Sequence, residues 1–140
     1  VIIDYAHTAD ALEALLKAVS NSLAGELHLV FSCGGNRDKM KRVKMGAVAS
    51  KYADYVYLTT DNCRNENPID INLEIIEGFH SNQRYEMLLD RQEAIQKAIT
   101  LANEGDTVVI AGKGHERVQI IGAHSEELSD IEVVEGLIID

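Results

Sequence analysis

The chain has 140 residues, of which 46% are hydrophobic, with one proline and ten glycines; this is the size of one domain with a real core and excludes a disordered or low-complexity chain. No apolar run approaches the ~20 residues that a membrane helix needs, and the opening residues have no signal-peptide pattern. A net charge of −10 argues against nucleic acid as a partner.

The first four residues, "VIID", read as a short strand. They begin without Met and almost inside an element, so a piece of a longer protein is expected. A helix follows over 9–22, with Leu12, Leu15, Leu16 and Val19 at helical spacing and Thr8 as N-cap. "ELHLVFSC" (26–33) is a strand, 42–52 a helix with Met45, Val48 and Ala49 on one side, and "YVYLTT" (55–60) a β-branched and aromatic strand. After Pro68, residues 69–79 read as a helix and 85–90 as a strand. Residues 91–105 give the clearest helix, with Asp90 and Glu93 as a capping box and Gly105 as its stop. "TVVIAG" (107–112) is a buried strand. "VQIIG" (118–122) follows closely enough to pair with it antiparallel. "DIEVVEGLIID" (130–140) reads as a helix capped by Ser129, its Ile and Val leaving a strand open. Strands alternating with helices of this length give βαβ units: one α/β domain with a mostly parallel sheet, and no internal repeat or linker.

The charges and cysteines add detail. Five of the 13 Lys and Arg residues fall within 37–44: Arg37, Lys39, Lys41, Arg42 and Lys44. This is either a pocket for a small anion or a solvated helix start. Cys33 and Cys63 form no CxxC and no zinc spacing, and two thiols in a reducing compartment are expected.

The dense polar clusters each follow a strand: "DYAHT" (4–8), "CGGNRDKMKR" (33–42), "TDNCRNENP" (60–68) and "GKGHE" (112–116). In an open parallel sheet these loops share the carboxyl edge, where ligands bind. The general polarity of exposed loops explains the polarity, but poorly explains why Arg37, Arg64 and Lys113 all fall on this edge. The P-loop, the GxGxxG fingerprint, the nucleophile elbow and HExxH are all absent, so the equipment for cleaving ATP is not in this chain. What remains is a recognition surface. Gly34, Gly35, Gly112 and Gly114 allow close backbone approach, Arg37 and Arg64 can grip a carboxylate or phosphate, and Glu116 can accept from an ammonium. Cations and an anion together suit a zwitterion such as an amino acid. His7 is read either as a ligand contact or as an organiser of its loop, and Lys113 and His115 either as site residues or as pins of their turn. His28, His80 and His124 are given no role.

These four motifs, in this order and at this spacing, resemble the carboxy-terminal domain of the Mur ligases, and among them the members that add the third amino acid of the peptidoglycan stem. The resemblance covers nearly the whole chain; each motif is modestly specific alone and highly specific with the others. It implies a Rossmann-like fold. It also implies an ATP-dependent amide ligase in which an acyl phosphate, formed from ATP and the carboxyl of UDP-N-acetylmuramoyl-L-alanyl-D-glutamate, is attacked by the amine of meso-diaminopimelate. A central domain carrying the P-loop and most Mg²⁺ ligands, and an amino-terminal UDP-binding domain, would lie outside residues 1–140. The enzyme would be cytoplasmic, and these residues alone would hold no catalytic group and be inactive.

Position by position, the resemblance places Asp4 and His7 near the ribose of ATP and Arg37 on the incoming amino acid. Asp61, Asn62 and Arg64 match an Asp-Asn-Pro-Arg signature for meso-diaminopimelate, and Gly112 and Glu116 match positions that hold its distal centre. Lys113 and His115 would support them. Three positions depart from the pattern: Ala9 and Val43 stand where proline is usual at helix starts, and Cys63 replaces the signature proline, which is expected to loosen that loop. The alternatives are a lysine-adding or folylpolyglutamate-type ligase domain, for which Arg64 discriminates, and a non-catalytic amino-acid or nucleotide-binding module.

Overall fold

The computed structural model describes residues 1–36 and 38–138, the side chain of Ile138 excepted. Five strands form one fully parallel sheet: β1 (Ile2–Asp4), β2 (Leu27–Phe31), β3 (Tyr55–Leu58), β4 (Arg84–Met87) and β5 (Thr107–Ala111), in the spatial order β1-β5-β2-β3-β4. The last of these strands in the chain thus lies inside the sheet. It pairs with β1 in the register Ile2↔Val109 and with β2 in the register Leu29↔Val109. Helices α1 (Ala9–Ser20), α2 (Lys39–Tyr52), α3 (Pro68–Ile76), α4 (Arg91–Leu101) and α5 (Asp130–Ile138) cover it.

The strand period of two splits the core into two layers. Leu27, Leu29 and Phe31 of β2, with Val56, Leu58, Val109 and Ala111, face Leu12 and Leu16 of α1, Met45 and Ala49 of α2, and Ile71 and Ile75 of α3. Val30, Tyr57, Val108 and Ile110 face Ala94, Ile95 and Ala98 of α4 and Val134 of α5. Each Leu or Ile removed fully from water contributes about 1.5–3 kcal/mol. The edge strand β4 is half open, with Arg84 and Tyr85 exposed.

Helix starts follow their caps. Thr8 Oγ1 accepts from Ala11 N at 3.1 Å, Asn67 Oδ1 from Ile69 N at 2.9 Å ahead of Pro68, and Asp90 Oδ1 from Glu93 N at 3.2 Å. Helix α2 begins earlier than its apolar spacing suggests. Asp38 caps it by accepting from Met40 N at 2.9 Å, so Val43 lies inside the helix rather than at its start. Gly105 does not end α4, which stops at Leu101; it takes a φ of 91° in the turn before β5. α2 and α3 approach closely because Gly46 and Gly78 lack side chains. A Cβ at Gly46 would fall 1.9 Å from Ile75 O, and one at Gly78 2.0 Å from Val43 O.

One expectation is corrected beyond β5. The strand β6 (Val118–Ile121) pairs antiparallel not with β5 but with β7 (His124–Glu127), in the register Ile120↔Ser125. β7 is "HSEE", exposed at every position, and carries no apolar alternation that would mark it as a strand. The segment from Asp130 is a helix, as its Ser129 cap suggests, with Ser129 Oγ accepting from Glu132 N at 3.3 Å; residues 139 and 140 lie outside the described residues.

Candidate functional site

Because all five strands run parallel, the loops after β1, β2, β3 and β5 leave the same edge of the sheet. Between them lies a cavity of about 260 Å³. Its walls are His7 and Thr8 after β1; Cys33 and Gly34 after β2, with Arg42 and Met45 of α2; Asp61, Asn62 and Arg64 after β3; and Gly112 and Glu116 after β5. Six of the ten residues singled out in the sequence therefore line one space: His7, Asp61, Asn62, Arg64, Gly112 and Glu116. Arg37 lies outside the described residues. Asp4, Lys113 and His115 do not line the cavity.

The backbone at this edge is unusual. Asn36, Asn62 and Arg64 have φ of 56°, 41° and 52°, a left-handed region that non-glycine residues enter at a cost. The two central loops are zipped together: Gly35 N donates to Asn62 O at 2.9 Å, and a Cβ on Gly35 would fall 1.8 Å from Cys63 O. Cys63 is 1% exposed and joins the apolar core below, and Cys63 O accepts from Glu66 N at 3.0 Å. These contacts tie the loop at Cys63, the position of the signature proline. Gly112, with φ of 114°, sits where a Cβ would fall 2.4 Å from Asp61 Oδ2.

The side chains divide into internal ties and groups that face the cavity. Arg42, 1% exposed, is a tie as well as a wall. Its guanidinium donates to Glu66 at 2.7 and 3.0 Å, to Glu74 at 3.0 Å and to Gly34 O at 3.1 Å. These bonds hold the Glu66 carboxyl down to about 2. Of the basic run, then, Arg42 already has its anions within the protein. Glu66 Oε2 also accepts from Asn36 N at 2.5 Å, which fixes the β2 loop. Arg64 does not bind Glu66. Its Nη1 donates to Gly35 O and Asn62 O, both at 3.2 Å; the opposite edge of a guanidinium, Nη2 with Nε, matches the two oxygens of a carboxylate. Asp61, 7% exposed, has its carboxyl pushed up by burial, while Arg91 and Lys113 nearby pull it down. Burial pushes the Cys33 thiol up to about 12, and both cysteines are free thiols, in agreement with the sequence reading.

On the β1 side, Asp4 is committed to its own turn, where Oδ1 accepts from Ala6 N at 2.8 Å. His7 is exposed; its Nδ1 lies 3.0 Å from Tyr5 O and its ring meets that of Tyr5 edge-on at 4.7 Å. Lys113 has no exposed side-chain surface, and Nζ donates to Val118 O at 2.6 Å and Asn62 Oδ1 at 3.3 Å. His115 is exposed on the tip of the turn.

Two supporting groups were not foreseen from sequence. Arg91 and Asp130, both fully buried, form a bidentate pair at 2.8 and 2.7 Å, and Arg91 also donates to Thr60 O and Ala111 O, the residues just before Asp61 and Gly112. Asn72, also fully buried, accepts from Ser32 Oγ at 2.8 Å and donates to Thr59 O at 2.9 Å. The signal available was a polar residue on the apolar face of a helix. Among the described residues, the group of three side chains close enough to share a metal ion is Glu26, His28 and Asp106. It lies at the edge of the sheet opposite the cavity. No helix among the described residues is long and apolar enough to cross a membrane.

The chain is similar to known proteins along nearly its whole length. It is 46% identical over 134 residues to UDP-N-acetylmuramoyl-L-alanyl-D-glutamate--2,6-diaminopimelate ligase of Clostridioides difficile (strain 630), covering 95% of this chain and 28% of that protein. A solved structure of a ligase of the same name superposes with a TM-score of 0.92 at 41% identity, covering 98% of this chain and 28% of that one. A bifunctional folylpolyglutamate synthase/dihydrofolate synthase from Yersinia pestis CO92 shares the fold, with a TM-score of 0.59 at 16% identity over 96% of this chain and 26% of that one. The chain thus spans little more than a quarter of the length of the curated relatives it matches. A family model described as "Mur ligase, glutamate ligase domain" matches residues 1–114, and the chain belongs to that family.

Proposed function

We propose that this chain is the amino-acid-binding domain of a cytoplasmic ligase that adds meso-diaminopimelate to UDP-N-acetylmuramoyl-L-alanyl-D-glutamate at the expense of ATP. Ligases of that name in other organisms are about 46% identical to it. The observation that carries the reading is the cavity's charge pattern: the Arg64 guanidinium and the Glu116 carboxylate line the same space. The distal end of diaminopimelate bears a carboxylate and an ammonium on one carbon, and Arg64 and Glu116 are their complements. Asp61, Asn62 and Gly112 form the wall between them, and Arg37 would meet the proximal end. His7, with Asp4 ordering its turn, would face the nucleotide.

In this reading the chain orients the amine and excludes water around it; ATP and Mg²⁺ would be held mainly by residues outside this chain and would supply the activation of the acceptor carboxyl. Orientation is a large part of such a rate, because it turns a bimolecular step into an effectively unimolecular one.

The test compares kcat/KM for meso-diaminopimelate and L-lysine in the complete ligase. L-Lysine lacks the distal carboxylate and would leave Arg64 without its partner. Loss of one partner of a desolvated pair costs roughly 2–5 kcal/mol, and each 1.4 kcal/mol is about tenfold. Discrimination of about two to three orders of magnitude is expected, and Arg64→Ala should abolish it mainly by weakening diaminopimelate. Equal efficiency, or a preference for lysine, removes the assignment. The isolated chain should release no phosphate from ATP, Mg²⁺ and both substrates, since it contains no P-loop.

A further inference from the structure

Lys113 raises a question that the cavity does not answer. A lysine with no exposed surface contributes nothing to ligand binding by direct contact, yet its ammonium must be satisfied by acceptors. It has three: Val118 O at 2.6 Å, Asn62 Oδ1 at 3.3 Å and Glu116 Oε1 at 3.5 Å. Two of these belong to the proposed amino-acid site and the third to strand β6.

Asn62 completes the connection. Its Oδ1 accepts from Lys113 Nζ and also from Ile120 N at 2.8 Å, which fills both lone pairs. Only the Nδ2 end of that amide is left to offer a ligand. The next turn of the loop is held by the same strand. Arg64 N donates to Ile120 O at 3.2 Å, Gly122 N donates to Arg64 O, and Arg64 makes a parallel bridge with Ile121. Both main-chain polar groups of Arg64 are therefore committed to the β6–β7 hairpin, at a residue whose φ of 52° a side chain disfavours. Such a conformation persists only where the surroundings over-determine it.

We propose that Lys113 is a positioning residue for the amino-acid site: acting through Asn62 and the β6–β7 hairpin, it holds the Arg64 loop in its left-handed conformation. This rests on the reading of Arg64 as the cation for the distal carboxylate. Lys113→Met keeps the length and apolar stem of the side chain and removes the ammonium. Asn62 Oδ1 then loses one donor, Val118 O loses its partner and Glu116 its ion pair, so the hold of the hairpin on the loop is weakened.

The experiment uses the complete ligase and reads KM for each substrate separately. Lys113→Met should raise KM for meso-diaminopimelate at least tenfold, narrow the preference over L-lysine by a similar factor, and leave KM for ATP within about twofold. In an Asn62→Ala background the same substitution should add less than about twofold, because both break one link. A parallel rise in KM for ATP, full additivity with Asn62→Ala, or an unchanged diaminopimelate KM overturns the proposal. Should Lys113→Met not fold, Lys113→Gln, which removes the charge and shortens the stem but keeps a polar end, must give the same split between amino acid and ATP, and its absence is equally decisive. A wild-type ligase that does not discriminate the two amino acids removes the underlying assignment of Arg64, and this proposal with it. Discrimination in the wild type without the Lys113 effect removes this proposal alone.

Discussion

The two ends of the parallel sheet are built from the same five strands and solve the chain-reversal problem differently. At the amino edge, short acidic side chains take up the backbone donors: Asp106 accepts from Glu26 N at 2.8 Å and Asn103 N at 3.0 Å and lies 3.0 Å from His28 Nε2, while Asp54 accepts from Leu27 N at 2.8 Å. Positive φ is left there to a glycine, Gly105. At the carboxyl edge, Asn36, Asn62 and Arg64 take positive φ themselves, and Arg42, Arg91 and Lys113 are buried to hold them. The amino edge is relaxed and closed on itself. The carboxyl edge carries strain and buried charge around a cavity, a combination found where binding geometry has to be fixed in advance of the ligand.

The comparison breaks if the buried charges of the carboxyl edge are dispensable. Removing one partner of a fully buried pair leaves the other charge uncompensated, at about 3–5 kcal/mol. Asp130→Ala should therefore lower unfolding free energy by about that much in urea denaturation, whereas Arg91→Met with Asp130→Leu should recover most of the loss. A single change costing under about 1 kcal/mol contradicts the assignment.

At the amino edge the strain test falls on a glycine. A Cβ at Gly105 would meet nothing within 4 Å, so Gly105→Ala should cost about 1–2 kcal/mol from its φ of 91° alone. On the other edge, Arg64→Gly should be more stable than Arg64→Ala by about 1–2 kcal/mol, since both lose the side chain but only glycine accepts a φ of 52° without strain. Equal stability of the two Arg64 variants would remove the strain assigned to the carboxyl edge.

The smallest and most gradual effect sharpens the comparison through pH. Glu66 at the carboxyl edge is held down from 4.5 to about 2, chiefly by its hydrogen bonds with Arg42, and Asp106 at the amino edge from 3.8 to about 2, chiefly by backbone N–H groups. A carboxyl lowered in the folded state stabilises fully above its unfolded value. That stability is lost as pH falls from about 4.5 towards 2. Asp61, whose carboxyl is raised by burial, works in the opposite sense and partly offsets the loss. Melting temperature measured by calorimetry should fall across this window. Glu66→Gln should flatten the part due to the carboxyl edge and leave the Asp106 part in place.

The layout of the cavity could be read from the sequence because strand direction is a strong constraint: once all strands are parallel, the loops after each must meet. Asp61, Asn62, Arg64, Gly112 and Glu116 were found together on that basis and by resemblance to the family. What escaped was pairing at a distance. Nothing local marks Arg91 as the partner of Asp130, or assigns Arg42 to Glu66 and Glu74 rather than to a ligand. A cation in a loop or helix start looks the same whether its anion is internal or imported. β7 escaped for another reason: an exposed two-stranded ribbon buries neither face, so "HSEE" carries no hydrophobic period.

The position of β5 also governs the order in which the chain can assemble. β2, β3 and β4 are consecutive and adjacent, so they can pair as each emerges during synthesis. β1 cannot: its sole neighbour in the sheet is β5, and Ile2 waits for Val109. Until then the first strand has no place, and β2, apolar but for His28, presents an unpaired edge to the surroundings. Closing so long a loop before any contact rewards it makes insertion of β5 the natural slow step, and the half-sheet that precedes it the species most prone to clump. The same insertion brings Gly112 to the cavity and Lys113 to Asn62, so the folding step that completes the sheet also completes the site.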